Sequence, residues 1–191
     1  MTAAVPPPGA DPPPPPALVP RLLAGYFRLL RRLVTGLLGV MIVPVTLQIV
    51  SRYTGLIPRY IWTEEAARFC FIWIILVGAM IAVREGTHFE VDVLPTPASP
   101  RTEALMHLLV SLFMLVFAGV FVVYGVRYAA FGYTQTSELT GINMVLIHGA
   151  YLVAGLTWVA FLAERIWLAV AVIRGDEGAI ARLRGDAHVA R

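Results

Sequence analysis

Residues 62–92 read Trp-Thr-Glu-Glu-Ala-Ala-Arg-Phe-Cys-Phe-Ile-Trp-Ile-Ile-Leu-Val-Gly-Ala-Met-Ile-Ala-Val-Arg-Glu-Gly-Thr-His-Phe-Glu-Val-Asp. They hold five of the chain's twelve acidic residues, Glu64, Glu65, Glu85, Glu90 and Asp92, along with Arg68, Arg84 and His88. Carboxylates at this density could bind a cation, exchange protons or pair with arginine. The rest of the sequence narrows that choice. No His-Glu-x-x-His, Cys-x-x-Cys or Gly-x-Ser-x-Gly occurs, and a chain without lysine cannot form a Walker motif. Cys70 is alone, so no internal disulfide forms. A membrane haem would need two histidines facing one iron. The expected spans place His107 and His148 roughly 15 Å apart in depth, so each is expected to make an ordinary polar contact between helices. No cofactor and no metal is expected, which leaves arginine pairing or ordinary helix-terminus charges where the helix meets water.

The elements that must position these charges are apolar. The chain has 191 residues, 58% hydrophobic and 14% charged, with a mean hydropathy of +0.75. Soluble domains run at roughly 25% charged. Uncharged apolar runs cover 33–51, 69–83, 104–126 and 139–163, and a span needs about 20 apolar residues. The pattern predicts an all-α integral membrane protein with four transmembrane helices, near 33–53, 63–85, 100–127 and 140–165 or longer. The net charge of +3 comes from arginines at helix ends, where topology explains them, so no nucleic-acid partner is expected.

Residues 1–17 are rich in proline and predict a disordered tail; 176–191 predict a second tail. Across 18–33 the apolar residues take one half of a helical wheel and Arg21, Arg28, Arg31 and Arg32 the other. That predicts an N-terminal interfacial amphipathic helix with arginines toward lipid phosphates, or the positive flank of the first span. Arginines concentrate on both terminal flanks and at Arg84 and Arg101, which places both termini in the cytoplasm.

In the first span, Pro44 predicts a kink. In the second, Thr63 suits an N-cap with Glu64 and Glu65 in the first turn. Arg68 is four residues from Glu64 and three from Glu65, within reach of either. The uncharged stretch 69–83 is only about 22 Å long, against a hydrocarbon core of about 30 Å. Arg68 must therefore snorkel or pair with an acid. Arg84 suits the helix C-terminus and Gly86 its C′ position. In the fourth span, Glu164 and Arg165 sit either at the cytoplasmic interface or within the membrane facing a partner.

The segments Ser51-Arg52-Tyr53, Trp62-Thr63-Glu64-Glu65-Ala66-Ala67-Arg68-Phe69, Gly78-Ala79, Arg84-Glu85-Gly86-Thr87-His88 and Val91-Asp92 resemble the small membrane subunit, DctQ-type, of tripartite ATP-independent periplasmic (TRAP) transporters. Leu139-Thr140-Gly141-Ile142-Asn143-Met144 resembles the opening of that family's last span, with Asn143 in a region where members often carry proline. The resemblance implies a non-catalytic scaffold subunit in the bacterial inner membrane. Its partners would be a large multi-span membrane subunit, membrane lipids and, indirectly, a periplasmic solute-binding protein. The large subunit would import an organic acid coupled to sodium, and the small one would brace its static part. On this reading Glu64, Glu65 and Arg68 form an ion-paired cluster at the periplasmic edge. Arg84, Glu85, Gly86, His88 and Asp92 organise the cytoplasmic turn or touch the large subunit, and Arg52 and Trp62 anchor the outer interface. The alternatives are a haem- or quinone-binding membrane anchor of a redox complex, and a stand-alone tetraspan exporter.

Overall fold

Four helices follow one another, α1 Leu18–Thr54, α2 Ile61–Glu85, α3 Pro100–Tyr133 and α4 Val145–Ile173. All four are long and apolar enough to cross a membrane. The computed structural model describes residues 18–55, 58, 60–85, 100–138, 140–175 and 179. The proline-rich tail 1–17, the turn residues Gly86, His88 and Asp92, and nearly all of the second tail lie outside the described residues.

The helices do not close into a symmetric bundle. α1 packs mainly on α2, α2 on α4, and α4 on α3, so the spatial order is α1–α2–α4–α3, with α2 and α4 inside. Val77 and Met80 of α2 are fully buried in the main core, beside Ala150, Ala154, Phe161 and Leu162 of α4. A second cluster joins Ala104 at the start of α3 to Leu168, Ala169 and Val172 of α4. The outer helices α1 and α3 leave long apolar faces uncovered, among them Val40, Ile42 and Val43 on one and Leu109, Phe113 and Val116 on the other. Among hydrocarbon tails such faces are at home.

The amphipathic segment 18–33 and the first span are one continuous helix. At 100° per residue its wheel resolves into three faces. Leu23, Tyr26, Phe27, Leu30 and Val34 pack against the core. Leu18, Leu22, Leu29 and Leu33 form an exposed apolar stripe, and Arg21, Arg28, Arg31 and Arg32 are exposed on the remaining arc. At 1.5 Å per residue these 37 residues run about 56 Å, nearly twice the hydrocarbon thickness. Pro44 is buried inside the helix.

α3 and α4 approach backbone to backbone because glycine stands where they touch. A Cβ on Gly155 would come within 2.9 Å of the Val122 nitrogen, and one on Gly125 within 3.0 Å of the Leu152 Cα. Small residues at such crossings are how helices pack closely where lipid removes the hydrophobic drive between them.

Residues 135–144, which link α3 to α4, form a short turn structure. Met144 N–H donates to Gln135 O at 2.9 Å and Ser137 N–H to Ile142 O at 2.8 Å, with an antiparallel bridge between Thr136 and Asn143. Gly141 turns the chain at φ +67, a conformation open to glycine at no steric cost. The expected start of the last span near 140 therefore moves to Val145. Asn143 holds the corner from both sides, donating from Nδ2 to Tyr133 O at 2.9 Å and accepting from Val145 N–H at 2.8 Å.

Candidate functional site

The second helix is fastened at both ends, and each fastening reaches a different part of the chain. At the end nearest the α3–α4 link, the Ser137 hydroxyl donates to Glu65 Oε1. Ser137 Oγ also receives the Thr140 amide at 3.3 Å and the Thr140 hydroxyl at 3.2 Å. The acid at the head of α2 thereby docks the ordered turn onto the helix. At the other end, the Arg84 guanidinium donates to Glu164 Oε2 of α4, with side chains only 15% and 10% exposed. The guanidinium also lies over the Phe161 ring, 5.2 Å from its centroid. Glu65 and Arg84 are nineteen residues apart, about 28 Å along the axis, close to the thickness of a hydrocarbon core. Each clamp thus falls near one membrane boundary.

Two further contacts reinforce this frame. Trp73 Nε1–H donates to Leu146 O at 3.0 Å, tying α2 to the first turn of α4. The hydroxyls of Tyr26 and Thr157 lie 2.9 Å apart, and Thr157 donates its own proton to Val153 O, so Tyr26 donates to Thr157. Tyr26 also packs on Phe161, with centroids 6.0 Å apart. Both α1 and α2 are thereby tied to α4.

This arrangement differs in detail from the expected ion-paired cluster. Glu64 and Arg68 are exposed, and α2 makes an ion pair at its other end, Arg84–Glu164. Glu65 takes a hydroxyl as its hydrogen-bond partner, because the turn at 137–140 brings Ser137 to its carboxylate. Arg68, one turn inside Glu65, keeps its charge toward the exterior, the snorkelling course open to an arginine near a membrane boundary. Thr63 is not an N-cap: the helix begins two residues earlier, and the Thr63 hydroxyl donates to Tyr60 O at 2.7 Å. Arg52 and Trp62 are exposed at the α1–α2 end, where Trp62 packs on Tyr60 with ring centroids 6.4 Å apart. Glu85 closes α2, half-buried beside the Arg84–Glu164 pair.

Sequence reasoning missed Ser137 and the partner of Arg84. Glu164 carried a usable signal: an acid inside a long apolar run needs a partner, and nineteen residues, about 28 Å, separate it from the start of α4. Nothing in the sequence distinguishes Ser137 from other loop serines.

The histidines lie farther apart than expected. His148 is buried between Tyr128 and Phe131 of α3, with centroids 4.0 Å and 6.1 Å away, facing Gly132, whose missing side chain makes room for its ring. Tyr128 is twenty-one residues from His107, about 31 Å along α3. The 15 Å expectation fell short because α3 runs on to Tyr133 and α4 starts only at Val145. Among the described residues no group of three or more His, Cys, Asp or Glu converges as a metal site would require.

Residues 18–172 match the family model described as tripartite ATP-independent periplasmic transporters, DctQ component. The chain belongs to the DctQ family. It is a TRAP transporter small permease subunit, a multi-pass protein of the inner membrane. Its relatives include two Haemophilus influenzae proteins, each described as a TRAP transporter small permease protein. One is 27% identical over 131 residues, covering 69% of this chain and 81% of the relative. The other is 26% identical over 98 residues, covering 51% and 59%. An Oleidesulfovibrio alaskensis protein described as isethionate TRAP transporter permease protein DctMQ is 34% identical over 67 residues, 32% of this chain but only 10% of that protein.

Proposed function

We propose that this DctQ-family chain is a non-catalytic brace for a larger membrane permease. The larger subunit moves an organic acid inward, driven by sodium, after a periplasmic solute-binding protein delivers it. The observation that carries this reading is the fastening of α2 at both ends. A helix pinned by Glu65–Ser137 and Arg84–Glu164 resists sliding, while the long apolar faces of α1 and α3 stay free for a membrane partner. A transporter that moves one block against lipid needs such a fixed frame. The match to DctMQ supports a larger partner, since it takes up a tenth of that protein; we read the remainder as the larger permease on the same polypeptide. The printed substrate of that relative, isethionate, is an organic acid, but specificity belongs to the larger subunit and the binding protein.

On this reading both termini are cytoplasmic, as the arginine distribution favours. Arg68, exposed near the boundary opposite the termini, faces the larger subunit, with Glu64, Arg52 and Trp62 nearby. The turn that begins at Arg84 and Glu85 and contains Gly86, His88 and Asp92 contacts the same partner on the cytoplasmic side. The test is co-expression with the neighbouring transporter genes, mild-detergent purification and an uptake assay. The larger permease is expected to co-purify. Arg68→Ala is expected to lower its recovery or the uptake rate, with Arg182→Ala nearly silent. Purification of this chain alone under those conditions, or equal negligible effects of the two variants, would remove the reading.

A further inference from the structure

Beside the C-terminal end of α1 lies a cleft of about 330 Å³, walled by α1 and by the start of α2. Its α1 wall carries Gln48 and Arg52, and its α2 side carries Tyr60, Thr63 and Glu64. Arg52 and Glu64 are both exposed and form no ion pair with each other. The Gln48 Nε2 donor is buried without an acceptor among the described residues. One cation and one anion thus stand on opposite walls, with an unmet amide donor beside the cation. A strongly anionic ligand would meet repulsion from Glu64, and a purely cationic one repulsion from Arg52. A zwitterion satisfies both.

The depth of the cleft indicates which zwitterion. Tyr53, Tyr60 and Trp62 are exposed around it, and tyrosine and tryptophan gather at the level of lipid headgroups. Glu64 adjoins Glu65, the residue that marks the membrane boundary at this end. We propose that the cleft is a binding site for a zwitterionic phospholipid bearing a primary ammonium, with the phosphate on Arg52 and Gln48 and the ammonium on Glu64. A primary ammonium donates hydrogen bonds to the carboxylate, which a trimethylammonium cannot do. The site therefore separates ethanolamine from choline headgroups.

The test uses the full chain, with whatever permease partner co-purifies, in nanodiscs of equal phosphatidylethanolamine, phosphatidylcholine and phosphatidylglycerol. After delipidating washes, the retained lipids are counted by native mass spectrometry. Phosphatidylethanolamine is expected to be enriched about two- to fivefold over the other two, the scale of one exposed charged contact. Arg52→Ala is expected to abolish the enrichment. Glu64→Gln, which keeps size and hydrogen bonding, is expected to shift preference toward phosphatidylglycerol by a similar factor, because only the repelling charge is gone. Retained lipid that mirrors the bulk mixture overturns the proposal, as does unchanged selectivity in Glu64→Gln. A photo-crosslinker at Gln48 that labels a protein partner and no lipid overturns it in favour of a protein occupant.

Discussion

Replacing Glu164 by alanine removes the ion-pair partner of the Arg84 guanidinium at the C-terminal end of α2 and leaves it over the Phe161 ring. In the intact chain both members of the pair are 15% exposed or less. Removing one partner of a buried ion pair costs about 3–5 kcal/mol, mostly for the charge left unpaired. The pair lies near a membrane boundary, where Arg84 can partly escape to water, so the lower end applies: about 3 kcal/mol, more than a hundredfold in the folding equilibrium. Arg84→Ala should cost about the same. The double variant leaves no orphan charge and should cost far less than the two singles combined, giving a coupling of about 2–3 kcal/mol. Polar contacts between membrane helices average roughly 0.6 kcal/mol, with maxima near 1.7, so the coupling distinguishes a clamp from an ordinary contact. The assay is reversible unfolding in mixed detergent micelles, followed by helical circular dichroism for all four members of the cycle. A coupling of about 0.6 kcal/mol or less would refute the assignment of Arg84–Glu164 as the fastening of α2.

Two further outcomes follow from the packing. Gly155→Ala should destabilise the α3–α4 pair by about 1–3 kcal/mol, the range for overpacking, because its Cβ meets the Val122 backbone at 2.9 Å; Gly119→Ala, with nothing within 4 Å, should be neutral or stabilising through better helix propensity. Thermal unfolding in detergent compares the two. Ser137→Ala should loosen the turn locally by removing its hydrogen bond to Glu65, with faster amide exchange in residues 135–144 and little change in overall melting; protection equal to that of the parent chain would show that Glu65 does not hold the turn.

The number and kind of helices were legible in the sequence because long uncharged runs have few alternatives in an apolar solvent. So was the concentration of polar side chains at the ends of α2. What eluded the sequence was partner choice. Glu65 had Arg68 three residues away, an arrangement that local spacing favours, yet it binds Ser137, 72 positions downstream. Periodicity within one helix carries no information about a distant turn. The three faces of 18–33 show the same gap: the wheel separated apolar from basic residues, but only the packing of Tyr26 and Leu30 divides the apolar half into a buried stripe and a bare one. Asn143 was visible as a departure from a proline-bearing pattern, while its double hydrogen bond depends on where α3 ends.

The link between Arg84 and Glu164 also sets a schedule. Eighty positions separate the two residues, and chains grow at about 5–20 residues per second. The arginine therefore emerges some 4–16 s before the acid that will neutralise it. During that interval α2 is held only by α1 and by whatever the insertion machinery offers, and its serine tether is also still to be made. The last helix is then the keystone of synthesis: each earlier segment waits for it, and a chain halted before residue 164 reaches the bilayer with its second helix secured at neither end, or at its N-terminal end alone.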